Sequence, residues 1–380
     1  MKSVGIICEY NPFHNGHLYH LDKVKELYPD HTIILIMSGN FTERGDVSIL
    51  NKWDKTTIAL KYGVDLVIEL PYVFASESAD KFAYASIRLL DLLNVEALIF
   101  GSESNNIDLL YTLADTQLNN KKYDKLVKEY IDEGINYPTA LSKALFDITG
   151  KKIDKPNDIL ALSYIREIID QHSTIRPISI KRNNDYNSLE LNDGITSASS
   201  IRYALYHNEN VDNYIPYDIN DYHIVFNNDY FSLLKYKILT EKDLSIYQTV
   251  DEGIENRLKK YIIKSNNIEE FIMKVKTKRY TYNKLNRMFN HIICNFTKEE
   301  AINNDEIEYI RVLGFSYKGQ DYLNKIKKDI DIPIITRFSS IKSNMLDIEF
   351  RTTVTYASIL NEKDKIKLIE DEYKHTPIIR

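Results

Sequence analysis

The first hundred residues alternate short, almost wholly apolar runs with segments of helical periodicity, and few folds accommodate that alternation. Val4 to Cys8, Thr32 to Met37, Asp65 to Leu70 and Ala97 to Phe100 are rich in β-branched and aliphatic residues. Strands buried on both faces read this way, whereas half-exposed strands alternate apolar with polar. Between them lie a helix from about His17, with Leu18, Leu21, Val24 and Leu27 at helical spacing, a helix from Lys52 to Tyr62 ended by Gly63, and an amphipathic helix from Ser78 to Leu93. The order βαβαβαβ predicts an α/β fold whose parallel sheet is covered on both faces. Such sheets bind ligands at the carboxyl ends of their strands. Those ends carry Phe13-His14-Asn15-Gly16-His17, Ser38-Gly39-Asn40-Phe41, Ser76-Glu77-Ser78 and Gly101-Ser102-Glu103 in turn.

The first of these is the most informative. Asn11-Pro12 breaks the strand, so His14 and His17 fall where a new helix presents unpaired N–H groups and the positive end of its dipole. An anion is the natural guest, and Gly16 has no side chain to block a phosphate from the backbone. Imidazoles that hydrogen-bond or carry charge near neutral pH suit a nucleoside triphosphate. Two other readings stand beside this one. The pair would also serve as half of a metal site, although no CxxC or HExxH spacing supplies further ligands, or as plain helix-capping residues.

Composition narrows the class. With 380 residues, 43% of them hydrophobic, about two domains with their own cores are expected. The chain runs from Met1-Lys2-Ser3 straight into a strand, and no apolar run approaches the roughly 18 residues of a membrane span, so a cytoplasmic protein without membrane contact is expected. Cys8 and Cys294 are the only cysteines, which excludes a disulfide framework or thiolate cluster. A net charge of −6 argues against broad polyanion binding and leaves room for a local basic patch.

From about Ile107 to Gln171 the pattern is helical, with Asn157 as a candidate N-cap in Pro156-Asn157-Asp158. A fifth strand, Pro177 to Ile180, delivers Lys181-Arg182. Next, Gly194-Ile195-Thr196-Ser197-Ala198-Ser199-Ser200-Ile201-Arg202 reads as a hydroxyl-rich loop opening onto a helix, either a second phosphate site or simple capping. The Tyr-, Asn- and Asp-rich stretch after Asn208 marks a boundary between residues 1–207 and a mainly helical 208–380. Within the latter, Arg257 to Arg287 holds ten cations, among them Lys274, Lys276, Lys278, Arg279, Lys284 and Arg287, against Glu269 and Glu270, a net of +8. Tyr280, Tyr282 and Phe289 lie among them. Cations for phosphates with rings for splayed bases suit RNA, while a solvated helical face would look similar.

Phe13-His14-Asn15-Gly16-His17 resembles the HxGH signature of the nucleotidyltransferase superfamily, and Thr196 to Arg202 resembles its serine-rich second motif. The ordered set Cys8 to His17, Met37 to Phe41, Arg44-Gly45, Leu66 to Pro71, Phe100 to Glu103 and Pro156-Asn157 is similar to the bacterial tRNA(Met) cytidine acetate ligase family, closely over roughly the first 205 residues. One departure is Val47, where that family commonly has proline after the carboxylate that follows Arg-Gly. The resemblance implies a Rossmann-like nucleotidyltransferase domain and a reaction in two steps. Acetate and ATP, with Mg2+, give acetyl-adenylate, and the acetyl group passes to N4 of the wobble cytidine of elongator tRNA(Met). It further implies His14 and His17 as catalytic residues and ATP contacts at Ile7, Cys8, Glu9, Tyr10, Asn11, Pro12, Phe13, His14, Asn15, Gly16, His17, Leu18, Tyr19, His20, Gly101, Asn157 and Arg182, with Ser199 and Ser200 from the second motif. Ser38, Gly39 and Asn40, beside the first motif, are expected to enclose acetate. The cations from Lys274 to Arg287 are expected to hold tRNA. No stable protein partner is implied. An adenylyltransferase acting on a cofactor precursor, and a noncatalytic nucleotide- and RNA-binding protein, would share many of these features. Acetate-dependent pyrophosphate exchange separates the three.

Overall fold

The computed structural model describes residues 1–182 and 196–380. In chain order come β1 (Ser3–Cys8), α1 (Asn15–Leu27), β2 (Thr32–Ser38), α2 (Lys52–Lys61), β3 (Leu66–Leu70), α3 (Tyr72–Ala75), α4 (Ala79–Leu92) and β4 (Ala97–Ser102). The predicted strands and long helices of this region all form. Helices α5 (Ile107–Asn119), α6 (Tyr123–Asp132), α7 (Tyr137–Thr149) and α8 (Pro156–Asp170) precede β5 (Arg176–Lys181), and α9 (Ala198–Tyr206) follows. Gly194 and Ile195, which open the hydroxyl-rich loop in the sequence, lie outside the described residues.

The first five strands pair in parallel in the order β3-β2-β1-β4-β5. The chain winds outward from β1 to β3 and then returns to β4 on the other side of β1. That reversal opens a crevice above the carboxyl ends of β1 and β4, where ligands of doubly wound sheets bind.

The second half divides in a way its helical periodicity does not reveal. Helices α10 (Phe231–Thr240), α11 (Ile254–Ile262), α12 (Ile268–Val275) and α13 (Tyr282–Ile293) surround a separate core of Leu234, Ile238, Leu258, Phe271 and Phe289. After α14 (Lys298–Asn303) the chain returns to the sheet. β6 (Ile310–Phe315) pairs antiparallel with β3, placing Arg311 opposite Glu69. Helix α15 (Tyr317–Ile326), β7 (Ile334–Ile335), α16 (Asn344–Ala357), α17 (Glu362–Lys374) and β8 (Ile378–Ile379) complete the chain, both short strands pairing with β6. Residues 208–380 are mainly helical, as expected, and their last third also adds three short strands to the sheet of the first half.

Charge at the heart of this junction explains how so polar a segment can be buried. Lys52 Nζ lies 2.7 Å from Glu69, 2.8 Å from Glu372 and 3.4 Å from Glu349, and Arg311 lies 2.9 Å from Glu69 and 2.5 Å from Glu372. Two cations thus serve three carboxylates drawn from β3, α16 and α17. Burial, with Glu69 beside it, holds the Glu349 carboxyl well above the usual range. Among the described residues, no helix is long and apolar enough to cross a membrane.

Candidate active site

Strand β1 ends at Cys8, Tyr10 turns through a left-handed backbone (φ 49°), and His14 stands at the N-cap of α1 in extended conformation. Its Nδ1 accepts the Gly16 N–H at 2.9 Å, and its own N–H donates to His17 Nδ1 at 3.3 Å. This is a capping box built from two imidazoles. Because each Nδ1 is an acceptor, each ring is neutral with its proton on Nε2. Burial drives His14 down to about 3, with Arg182 and Arg202 adding to the effect, and burial together with His14 and Arg182 drives His17 well below the usual histidine range. The histidines therefore offer N–H groups to an anion, which is the hydrogen-bonding one of the two roles open to them in the sequence.

Linkage follows from these shifts. The unfolded chain takes up a proton at His14 near pH 6.5, the folded chain only near 3. Stability should thus be lost as pH falls through that window. In NMR titrations of the ligand-free protein, the His14 ring should not titrate between pH 5 and 8; a midpoint near 6.5 would contradict the capping tautomer.

Asn15 turns away from the ring pair. Its N–H and side-chain amide donate to the carbonyls of Tyr214 at 2.9 Å and Asn213 at 2.8 Å, fastening the chain after α9 to the start of α1. Helix α9 is capped by Ser197, whose Oγ accepts the Ser200 N–H at 3.0 Å. One turn in, Arg202 donates to the Asn11 carbonyl at 2.8 Å, to Asp46 at 3.0 Å and to Ser199 Oγ at 3.3 Å. It links both motifs to the Arg44-Gly45 loop. That loop is seated on α13: a Cβ on Gly45, at φ +78°, would lie 2.2 Å from the Arg287 nitrogen, so only glycine fits. The Val47 N–H, which proline would lack, donates to Asn227 Oδ1 at 2.7 Å. The departure at Val47 thus gains a bond across the two halves of the chain.

At the β4 end, Glu103 accepts the Asn157 side-chain amide at 2.6 Å and the Asp158 N–H at 3.0 Å, and Asp158 in turn accepts Ser102 Oγ at 2.5 Å. Lys155 is the N-cap of α8, which corrects the N-cap assignment of Asn157. Arg182 reaches toward Asn157 at 3.5 Å and lies over Gly101, where a Cβ would meet its Cδ at 3.0 Å.

These corners enclose a cavity of about 830 Å³. Of the expected nucleotide contacts, Ile7, Cys8, Glu9, Tyr10, Asn11, His14, Gly16, His17, Tyr19, His20, Gly101, Asn157 and Arg182 line it. Pro12, Phe13, Asn15, Leu18, Ser199 and Ser200 do not. Arg279, Lys284 and Arg287 line the opposite wall, whereas Lys274, Lys276 and Lys278 lie outside it. Ser38, Gly39 and Asn40, expected to enclose acetate, bond to the protein interior. The Ser38 and Gly39 carbonyls accept Lys55 Nζ at 2.8 and 2.7 Å, Asn40 bonds the Lys52 N–H at 3.0 Å and Thr353 at 3.2 Å, and none of the three lines the cavity. Sequence reasoning missed the wall made by α7 and α8, including Tyr137, Leu141, Leu160 and Tyr164. Arg202, the last residue of the second motif, lines the cavity as well.

A doubly wound sheet with a His-x-Gly-His cap at its reversal point, a serine-capped helix and converging arginines defines a nucleotidyltransferase of the HxGH class. Residues 1–371 match the HIGH Nucleotidyl Transferase family model. The tRNA(Met) cytidine acetate ligases of Geobacillus sp. (strain WCH70) and Bacillus subtilis (strain 168) are 39% and 36% identical, the first over all of both chains, the second over 100% of this chain and 97% of its own. The crystal structure of apo Thermotoga maritima TmcAL superposes with a TM-score of 0.91 at 29% identity, covering 100% of this chain and 99% of that one. The same protein bound with alpha-thio ATP gives 0.89. This chain belongs to the tRNA(Met) cytidine acetate ligase family.

Proposed function

We propose that this chain is an ATP-dependent ligase that joins acetate to AMP and passes the acetyl group to N4 of the wobble cytidine of elongator tRNA(Met). The observation that carries the reading is one cavity, with the HxGH turn on one wall and cations of the helical unit on the other. In the first step the Nε2–H groups of His14 and His17, with Arg182, would bind the triphosphate while the acetate carboxylate attacks the α-phosphorus and pyrophosphate leaves. Phosphoryl chemistry of this kind needs positioning and charge stabilisation more than a covalent nucleophile. Magnesium accompanying ATP would be held by phosphate oxygens and water. Among the described residues no three His, Cys, Asp or Glu side chains converge on a metal-sized site, and no step here runs through a resident metal.

The division of labour we infer is that residues 1–207 make the adenylate and the helical unit presents tRNA. Lys276 and Lys278 are exposed, while Arg279 pairs with Glu252 at 2.7 Å on the cavity rim. Acetate-dependent pyrophosphate exchange by the wild-type chain tests the first step; exchange without acetate dependence would refute it. For the second, Lys276→Glu with Lys278→Glu should weaken tRNA binding and flatten its salt dependence by about 0.7 to 0.9 in log–log slope for each phosphate no longer neutralised. Transfer should fall far more than exchange. A binding curve identical to wild type at all salt concentrations would make these lysines a solvated face.

A further inference from the structure

Acyl transfer to a cytidine needs a proton acceptor, because the exocyclic nitrogen loses a proton as it becomes an amide. Among the described residues five carboxylates line the cavity, and four are committed elsewhere. Asp46 holds Arg202, Asn227 and Asn286; Glu43 holds Arg287 at 3.1 Å; Asp80 holds Arg166 at 3.0 Å; both Glu77 oxygens accept, from Gln248 and Ser78. The imidazoles of His14 and His17 spend their acceptor nitrogens on the backbone. Glu9 differs. Among the described residues it forms no ion pair; one oxygen accepts the Glu43 N–H at 2.6 Å, and the other has no hydrogen-bond partner there.

Its position suits a step between two substrates. Glu9 shares the β1–α1 turn with the triphosphate motif, and Glu43 joins it to Arg287 on α13. We propose, on the ligase reading above, that Glu9 is the general base of acetyl transfer. The bond from N4 to the acyl carbon forms, the bond from that carbon to the adenylate phosphate oxygen breaks, and AMP leaves with the electron pair. The N4 proton goes to the Glu9 carboxylate and then to solvent. Cys8, Glu43, Arg44, Lys55 and Tyr164 face Glu9. Burial first, then Glu43, raises its pKa to about 7, against Arg44 and Lys55. A base is most effective when its pKa lies near the working pH.

The test supplies preformed acetyl-adenylate and tRNA in a single turnover, so that adenylate formation is bypassed. Gln at this position keeps an oxygen for the Glu43 N–H, so Glu9→Gln should fold. Its transfer rate should drop by about 10²- to 10³-fold, and the wild-type rise in rate through about pH 7 should disappear. Glu9→Asp should recover part of the rate and the pH dependence. Transfer by Glu9→Gln within tenfold of wild type, or with the pH rise intact, overturns the proposal. Equal losses in transfer and in acetate-dependent exchange also overturn it, marking Glu9 as an ATP contact. A wild-type chain without acetate-dependent exchange overturns the ligase reading itself, and this proposal with it.

Discussion

His17→Ala should lower acetate-dependent pyrophosphate exchange by about 10²- to 10³-fold, the loss that follows removal of one preorganised donor to developing charge. The same substitution removes the acceptor of the His14 N–H at the start of α1, which costs about 1 kcal/mol of cap stability. The two effects separate on measurement. Thermal unfolding reads the cap, and exchange at saturating ATP, well below the melting temperature, reads the donor. Exchange within a few-fold of wild type would leave His17 as a capping residue alone. Because the ring is neutral in the free protein, supplying a cation there is not what the site needs; it needs a donor on a fixed tautomer.

Lys52→Met should be the most destabilising of the changes considered, by about 3–5 kcal/mol at neutral pH, since it leaves buried carboxylates short of a partner. Glu69 and Glu372 would then share Arg311, and Glu349 would lose the ion pair it makes with Lys52. The deficit should narrow as pH falls. Glu349 is already raised to about 8, against about 4.5 in the unfolded chain. The folded wild-type chain therefore binds the extra proton between those values; the Lys52 cation lowers the Glu349 pKa, so its removal raises that pKa further, and the variant gains more stability on acidification than wild type does. Adding Glu349→Leu should restore part of the loss at neutral pH. Chemical denaturation across pH checks both points; a loss under about 1 kcal/mol would mean that the network is not balanced by Lys52.

Local physics made much of this protein legible from its residues. Strand cores such as Ile33 to Met37 need only their own apolar run to be recognised, and the His14 to His17 turn needs only a strand end, a proline and helical spacing. The +8 segment was visible as charge, and its last residues do face the cavity. What the local sequence could not show depended on direction or distance. Ser38, Gly39 and Asn40 sit at the right strand end, but Lys55 and Thr353 draw their polar groups into the interior, and Thr353 is 313 residues from Asn40. β6 has the composition of a strand, yet its partner β3 lies more than two hundred residues earlier. Asn157 looks like a cap and is instead held by Glu103.

By itself the sequence determined the elements, the order βαβαβαβ and the chemistry available at the strand ends, because propensity, periodicity and turn formation act over a few residues. Only the tertiary structure decided which of those groups share a cavity. It turned Asn15 onto the 213–214 backbone, brought Arg287 beside Glu43, and left Glu9 as the one unpaired carboxylate among those lining the cavity in the described residues. Burial and distant partners set both the direction a side chain takes and the proton it carries, and neither is written in its neighbours along the chain.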